Sequence, residues 1–165
     1  MRERGVRSIK LKRFCKCTTS PTGCVVTWIL PFLILLGSAA TADDCVNCNF
    51  DHKNLAFADF SGSDLSGASF RKAYLVGANF TGAILDGADF TGAIANAAIF
   101  KRAELKNARF LDAELELTHF TDANFHNTDF TRAYMVHSKL DDRNQEKIIL
   151  CTTTMFNATV SNKDC

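Results

Sequence analysis

From residue 50 to residue 140 a large apolar side chain stands at every fifth position, through Phe50, Leu55, Phe60, Leu65, Phe70, Leu75, Phe80, Leu85, Phe90, Phe100, Leu105, Phe110, Leu115, Phe120, Phe125, Phe130, Met135 and Leu140; Ala95 is the one small residue in the series. Two places before these centres most units carry a small residue, as at Ala58, Ser63, Ala68, Ala78 and Ala88. The period fits neither regular element. On an α-helix a step of five turns about 500°, which scatters the large residues around the cylinder. On a flat strand an odd step sends them to alternate faces. The period therefore belongs to a longer repeating structure, in which each unit buries its apolar face only against its neighbours.

The units Ala58-Asp59-Phe60, Ala78-Asn79-Phe80, Ala88-Asp89-Phe90 and Ala123-Asn124-Phe125 follow the pattern A-(D/N)-(L/F)-x-x. In this the chain resembles the pentapeptide-repeat family over residues 46–140. The resemblance implies an all-β fold, a right-handed quadrilateral β-helix of about five coils with one pentapeptide per side, in which residues twenty apart stack. With that stacking, Phe50, Phe70, Phe90, Phe110 and Phe130 form one column, and Phe60, Phe80, Phe100, Phe120 and Leu140 the opposite one. Two aromatic ladders should fill the bore. Gly62, Gly67, Gly77, Gly82, Gly87 and Gly92 fall at the fifth residue of their units, the turn position.

The flanks differ from the repeats. Residues 1–42 hold seven of the 19 basic residues and one of the 18 acids, followed by the apolar run CVVTWILPFLILLG and then SAATADD. This is the order of a secretory signal, with cleavage expected after Ala42. The run is short and contains Pro31, against the roughly 20 apolar residues that a membrane span needs. An uncleaved anchor is the alternative, and would be the protein's only membrane contact. Either way the repeats are expected to be exported, to the periplasm or the exterior. The remainder carries 12 basic and 17 acidic residues, a net charge of −5. The expected organisation is a signal or anchor at 1–42, the β-helix at 43–140 and a cap at 141–165. Past Leu140 the period fades, and the tail from Cys151 to Cys165 resembles the closing hairpin of exported family members, with Phe156-Asn157-Ala158 where those carry Pro-Asp-Gly.

Four cysteines lie outside the leader: Cys45, Cys48, Cys151 and Cys165. They allow three pairings. In a solenoid with coils spaced about 4.8 Å apart, its two ends lie some 20 Å from each other, beyond the ~7 Å between Cα atoms that a bridge tolerates. Bridges Cys45 to Cys48 and Cys151 to Cys165 are therefore expected, and one zinc site built from all four is excluded. His52, His119, His126 and His137 share no column, and Asp59, Asp64, Asp86, Asp89 and Asp129 mostly flank their centres as a solvated face. No catalytic, cofactor or metal motif is present. Asn79 and Asn157 open glycosylation sequons, the first produced by the repeat itself.

These features point to a non-enzymatic exported scaffold that binds a protein or envelope component, or a second copy of itself, and not nucleic acid. The alternative is a DNA mimic that acts on topoisomerases, as some family members do. Export and the basic residues Lys101, Arg102, Lys106 and Arg109 speak against it. The expected interaction surface is the side carrying Tyr74, Val76, Ile94, Tyr134 and Val136, because no other side bears as many outward apolar residues.

Overall fold

A computed structural model describes residues 45–141, 148–155, 157 and 159–165. The signal or anchor assigned to residues 1–42 lies outside the described residues, as do Phe156 and Ala158 of the tail turn. The chain winds as a four-sided parallel coil. On the first side Asn49, Ser69, Asp89, Arg109 and Asp129 bridge in succession, and on the second Asn54, Tyr74, Ile94, Glu114 and Tyr134. The third side runs through Asp59, Asn79, Ile99, His119 and Lys139, and the fourth through Asp64, Ile84, Glu104 and Asn124. Every bridge joins residues twenty apart.

The corners explain the five-residue unit. In the unit from Ala78 to Gly82, the Ala78 N–H donates to the Leu75 carbonyl and closes a turn, Asn79 donates back to Ala58, and Phe80 and Gly82 donate forward to Ile99 and Lys101. The last residue of each of the nineteen units from Asn47 to His137 has positive φ, between 53° and 69°. Six of these are glycines; the other thirteen are residues such as Phe57, Arg102 and Leu117. None of these thirteen is β-branched, the class for which the left-handed region is least accessible; Thr152, at the same position of the rung past Leu140, is β-branched and takes it all the same, with φ 51°. The turn position is thus a conformational requirement that glycine eases but does not define.

Inside, coil spacing sets ring spacing. Phe70, Phe90 and Phe110 stack with centroids 4.7–4.8 Å apart and planes within 4°, and Phe80 and Phe100 do the same at 4.8 Å. The two ladders meet edge to face, Phe80 against Phe90 at 5.7 Å and 89°. Each interior ring thereby makes both of the arrangements its quadrupole favours, worth about 0.5–1.5 kcal/mol per pair beyond burial. Phe125, in a column otherwise filled by Leu65, Leu85 and Leu105, turns its ring toward Phe120 and Phe130. The alanines two places before the centres are buried. At four positions where Thr or Ser replaces alanine, its hydroxyl donates to a carbonyl one coil back: Thr118 to Ala95, Thr128 to Leu105, Ser138 to Leu115 and Thr153 to Phe130.

The twenty-residue register continues past Leu140, where the sequence pattern fades. Strand β1 (Thr128–Asp129) pairs in parallel with β2 (Ile148–Ile149), which sets Leu150 in the Phe130 column. Strand β3 (Thr153–Thr154) follows on the second side, with Thr154 bridging Tyr134 and Met155 succeeding Met135. The period is hidden because Asp141 to Lys147 contain no large apolar residue. The chain then reverses, and β4 (Val160–Ser161) pairs antiparallel with β3. The Asp164 carboxylate and N–H satisfy the Leu150 N–H and carbonyl, which closes the last rung.

Bridges Cys45–Cys48 and Cys151–Cys165 are both formed, with Cα atoms 5.3 and 4.9 Å apart. The first spans the opening turn, in which the Cys48 N–H donates to the Cys45 carbonyl.

Ala95 sits, fully buried, between Leu75 and Leu115. Its neighbours Ile94 and Ile99 occupy outward positions, Ile99 being 37% exposed, so neither fills the space that a leucine takes elsewhere in the column. Ala95→Leu is expected to raise stability by about 1 kcal/mol through added burial, seen as a higher thermal midpoint. A lower midpoint would show that the column is already full.

Candidate functional site

The outward positions of the second side change character from coil to coil. Asn54 and Ala56 come first, then Tyr74 and Val76, then Ile94 and Asn96, then Glu114 and Glu116. Tyr74 is 43% exposed, and its backbone bridges that of Ile94 directly. Tyr74, Val76 and Ile94 therefore form one continuous patch. Tyr134 is exposed as well, but Glu114 lies between it and Ile94, so it is a separate feature. Val136 does not belong to the surface at all. It is 7% exposed, in the last full coil beneath the rung that begins at Thr153.

The structure adds residues that pattern reading left out. Phe57 and Leu117 occupy the corner after the second side and are 63% and 52% exposed. The Phe57 ring covers Gly77, reaching to within 2.7 Å of the position a Cβ would take there. Around the same corner Ile99 faces outward on the third side. Apolar surface thus wraps from Tyr74 and Ile94 over Ala97 to Ile99. The signal was present as two large apolar residues, twenty-residue stack-mates of Gly77 and Ala97, at a position otherwise glycine, alanine or polar. Ile84, on the opposite side, is also exposed but stands between Asp64 and Glu104.

Lys101, Arg102, Lys106 and Arg109 are all exposed and interrupt the acidic surface on three sides of one coil. The four histidines are exposed and dispersed. Among the described residues no group of three or more His, Cys, Asp or Glu side chains could hold a metal ion, and no helix is long and apolar enough to cross a membrane.

A sequence profile of pentapeptide repeats matches the chain in eight copies, over residues 44–82, 54–92, 73–110 and 98–135. The chain belongs to the pentapeptide-repeat family. Its fold is that family's right-handed quadrilateral β-helix. Solved structures with similarity include HetL, a pentapeptide repeat protein involved in heterocyst differentiation regulation in the cyanobacterium Nostoc (20% identity, 73% of this chain and 63% of that one, TM-score 0.35). The chain spans less than two thirds of HetL's length. A pentapeptide repeat protein of the Arabidopsis thaliana thylakoid lumen is similar at 25% identity (58% and 73% covered, TM-score 0.34). The plasmid-mediated fluoroquinolone resistance protein QnrB1 is similar at 15% (70% and 74%, TM-score 0.39). Comparison with curated proteins gave no match.

In this pentapeptide-repeat chain the Asp or Asn before a centre has a structural task. Its Oδ1 accepts the N–H two residues on, as at Asn49, Asn54, Asp59, Asp64, Asn79, Asp89 and Asp129. That N–H is the one in the unit with no backbone acceptor, so the side chain orients the corner in the manner of an Asx turn. A following Ser or Thr adds its hydroxyl, as Ser66 does to Asp64 at 2.6 Å and Thr81 to Asn79 at 2.6 Å. Asp59, Asp64, Asp89 and Asp129 are consequently half-buried, while Asp86 is exposed.

The Ser66 hydroxyl, then its N–H, holds the Asp64 carboxyl below its ordinary pKa of 3.8. Asp112 is lowered likewise by the Arg132 guanidinium, which binds both its oxygens at 2.6 Å. A carboxyl depressed in the folded state contributes stability above its unfolded pKa and loses it as pH falls through the folded value. The thermal midpoint should therefore drop on acidification below about pH 4. Ser66→Ala should move the Asp64 titration, followed by carboxyl chemical shifts, back up toward the ordinary range and leave Asp112 unchanged. An unmoved Asp64 would contradict the assigned cause.

Proposed function

We propose that this pentapeptide-repeat protein is a non-enzymatic exported scaffold whose second side and adjoining corner bind a protein. One observation carries the reading. Exposed Phe57, Tyr74, Ile99 and Leu117 adjoin half-buried Val76 and Ile94 across neighbouring coils, whereas the outward apolar residues of the opposite side, Val46 and Ile84, are kept apart by the coil that carries Asp64 and Ser66. Single exposed apolar residues are ordinary; a joined patch marks an interface. A bore filled by stacked phenylalanines and leucines supports a surface role, since substrate sites need a concave pocket with converging polar groups. Export is supported by the basic, apolar and small-residue order of residues 1–42 and by two disulfides, which persist in oxidising compartments.

Two experiments test the two halves of this reading. Fractionation of cells making a C-terminally tagged protein, with the mature N-terminus sequenced, should find it exported and beginning at Asp43. A full-length cytoplasmic product would overturn export and return attention to topoisomerases. Tyr74→Ser combined with Ile94→Asp should abolish crosslinked adducts formed in cells, while Ile84→Ser combined with Glu104→Ser on the opposite side should leave them. If the two variants behave alike, the second side has no special role.

A further inference from the structure

The second side carries a charge pattern that its apolar content alone does not explain. Its second coil is basic at the leading corner, with Arg71 and Lys72, followed by Tyr74 and Val76. Its fourth coil is acidic, with Asp112, Glu114 and Glu116. The third coil between them is uncharged, reading Gly92, Ile94, Asn96 and Ala97. Positive and negative thus stand at equal distances, one coil each, on either side of a neutral apolar middle.

We infer that the partner of this side is a second copy of the chain, docked antiparallel about a two-fold axis that lies in the interface along the Ile94 strand. This rests on the proposed interaction face and names its occupant. Such an axis leaves each column facing itself and exchanges the coils above and below the middle, the arrangement of an isologous interface. Ile94 meets Ile94, and Ala97 meets Ala97. Lys72, exposed and in no ion pair among the described residues, comes opposite the second copy's Asp112, whose carboxylate also carries Arg132 of its own chain, and the Tyr74 hydroxyl opposite the second copy's Glu114. Among the described residues the Glu114 carboxylate accepts a single 3.4 Å contact, from Asn96, and has an oxygen available to accept it. At the corner, the protruding Leu117 reaches the Phe57 ring where it lies over Gly77. A parallel pairing of the same faces would instead set Glu114 beside Glu114 and Lys72 away from any acid. Only the antiparallel mode uses the charge reversal.

The face is small. Five coils at about 4.8 Å and three residues of about 3.3 Å make it about 24 Å by 10 Å, well under the ~800 Å² per partner of a standard interface. The pair is therefore weak and concentration-dependent, and a proximity measurement reads it better than a stable-dimer assay.

Single cysteines introduced into the purified exported protein, with its native cysteines in their disulfides, give that measurement with a short bismaleimide linker at high protein concentration. Ile94→Cys should form crosslinked dimers at least tenfold faster than Ile84→Cys on the opposite side. A mixture of Tyr74→Cys and Glu114→Cys proteins should crosslink at least tenfold faster than either alone, and these exposed positions test the geometry even if Ile94→Cys disturbs packing. Adding Lys72→Glu should slow the mixed reaction several-fold. Equal rates for Ile94→Cys and Ile84→Cys together with no advantage for the mixture, or self-linking of Tyr74→Cys as fast as the mixture, would overturn the antiparallel pair. Ile94→Cys that links in cells only to a different protein would overturn self-pairing while leaving the proposed interaction face standing.

Discussion

The spacing of coil on coil is the constraint from which the rest follows. Four of the five amides in a unit such as Ala78 to Gly82 donate to backbone carbonyls, three of them to a neighbouring coil. That ladder fixes the separation of stacked residues near the inter-strand value of about 4.8 Å. Rings placed in one column must then stack at that separation, and they do, at 4.7–5.1 Å. The aromatic ladders are a consequence of the backbone register, and they in turn penalise any slip, because a shift by one unit would set Phe against Leu along most of the bore.

Such a register has no internal stopping point, so both ends need a device. Where the described coil begins, a disulfide joins two buried cysteines whose backbone closes a turn. At the C-terminal end the strand direction reverses. Pairing β4 antiparallel onto β3, with Asp164 folded over Leu150 and Cys165 bound to Cys151, replaces a parallel edge that a further coil would extend. Uncovered edges of this kind invite association with other chains, and terminal repeats are accordingly atypical.

The columns were legible in the sequence because burial allows only large apolar residues at the centres and small ones two places before them. The corner conformation was legible only at the glycines, since Arg102, Asn107, Asp112 and Leu117 take the same left-handed φ without a compositional mark. The continuation of the register to Leu150 and Met155 was hidden by a polar stretch, for the period is carried by apolar residues and falls silent without them. Outward residues were the least legible. Tyr74 and Ile94 could be placed on one side, but Val136 lies buried in the coil on which Thr154 stacks, and Phe57 and Leu117 stand at corner positions that elsewhere carry glycine, alanine or polar residues.

Amide hydrogen exchange tests the central claim most directly. In each unit from Ala68 to Leu117 the residue after the centre, such as Asp86 or Lys101, has no backbone acceptor, while the other four do. Exchange across residues 68–117 should therefore repeat with a period of five, four protected amides to one faster one, fastest where no Asx side chain accepts it, as at Asp86 and Lys101, with protection persisting through non-glycine corners such as Arg102, Asn107 and Leu117. Protection that alternates with a period of two, or that fails wherever the corner is not glycine, would contradict the coil described here.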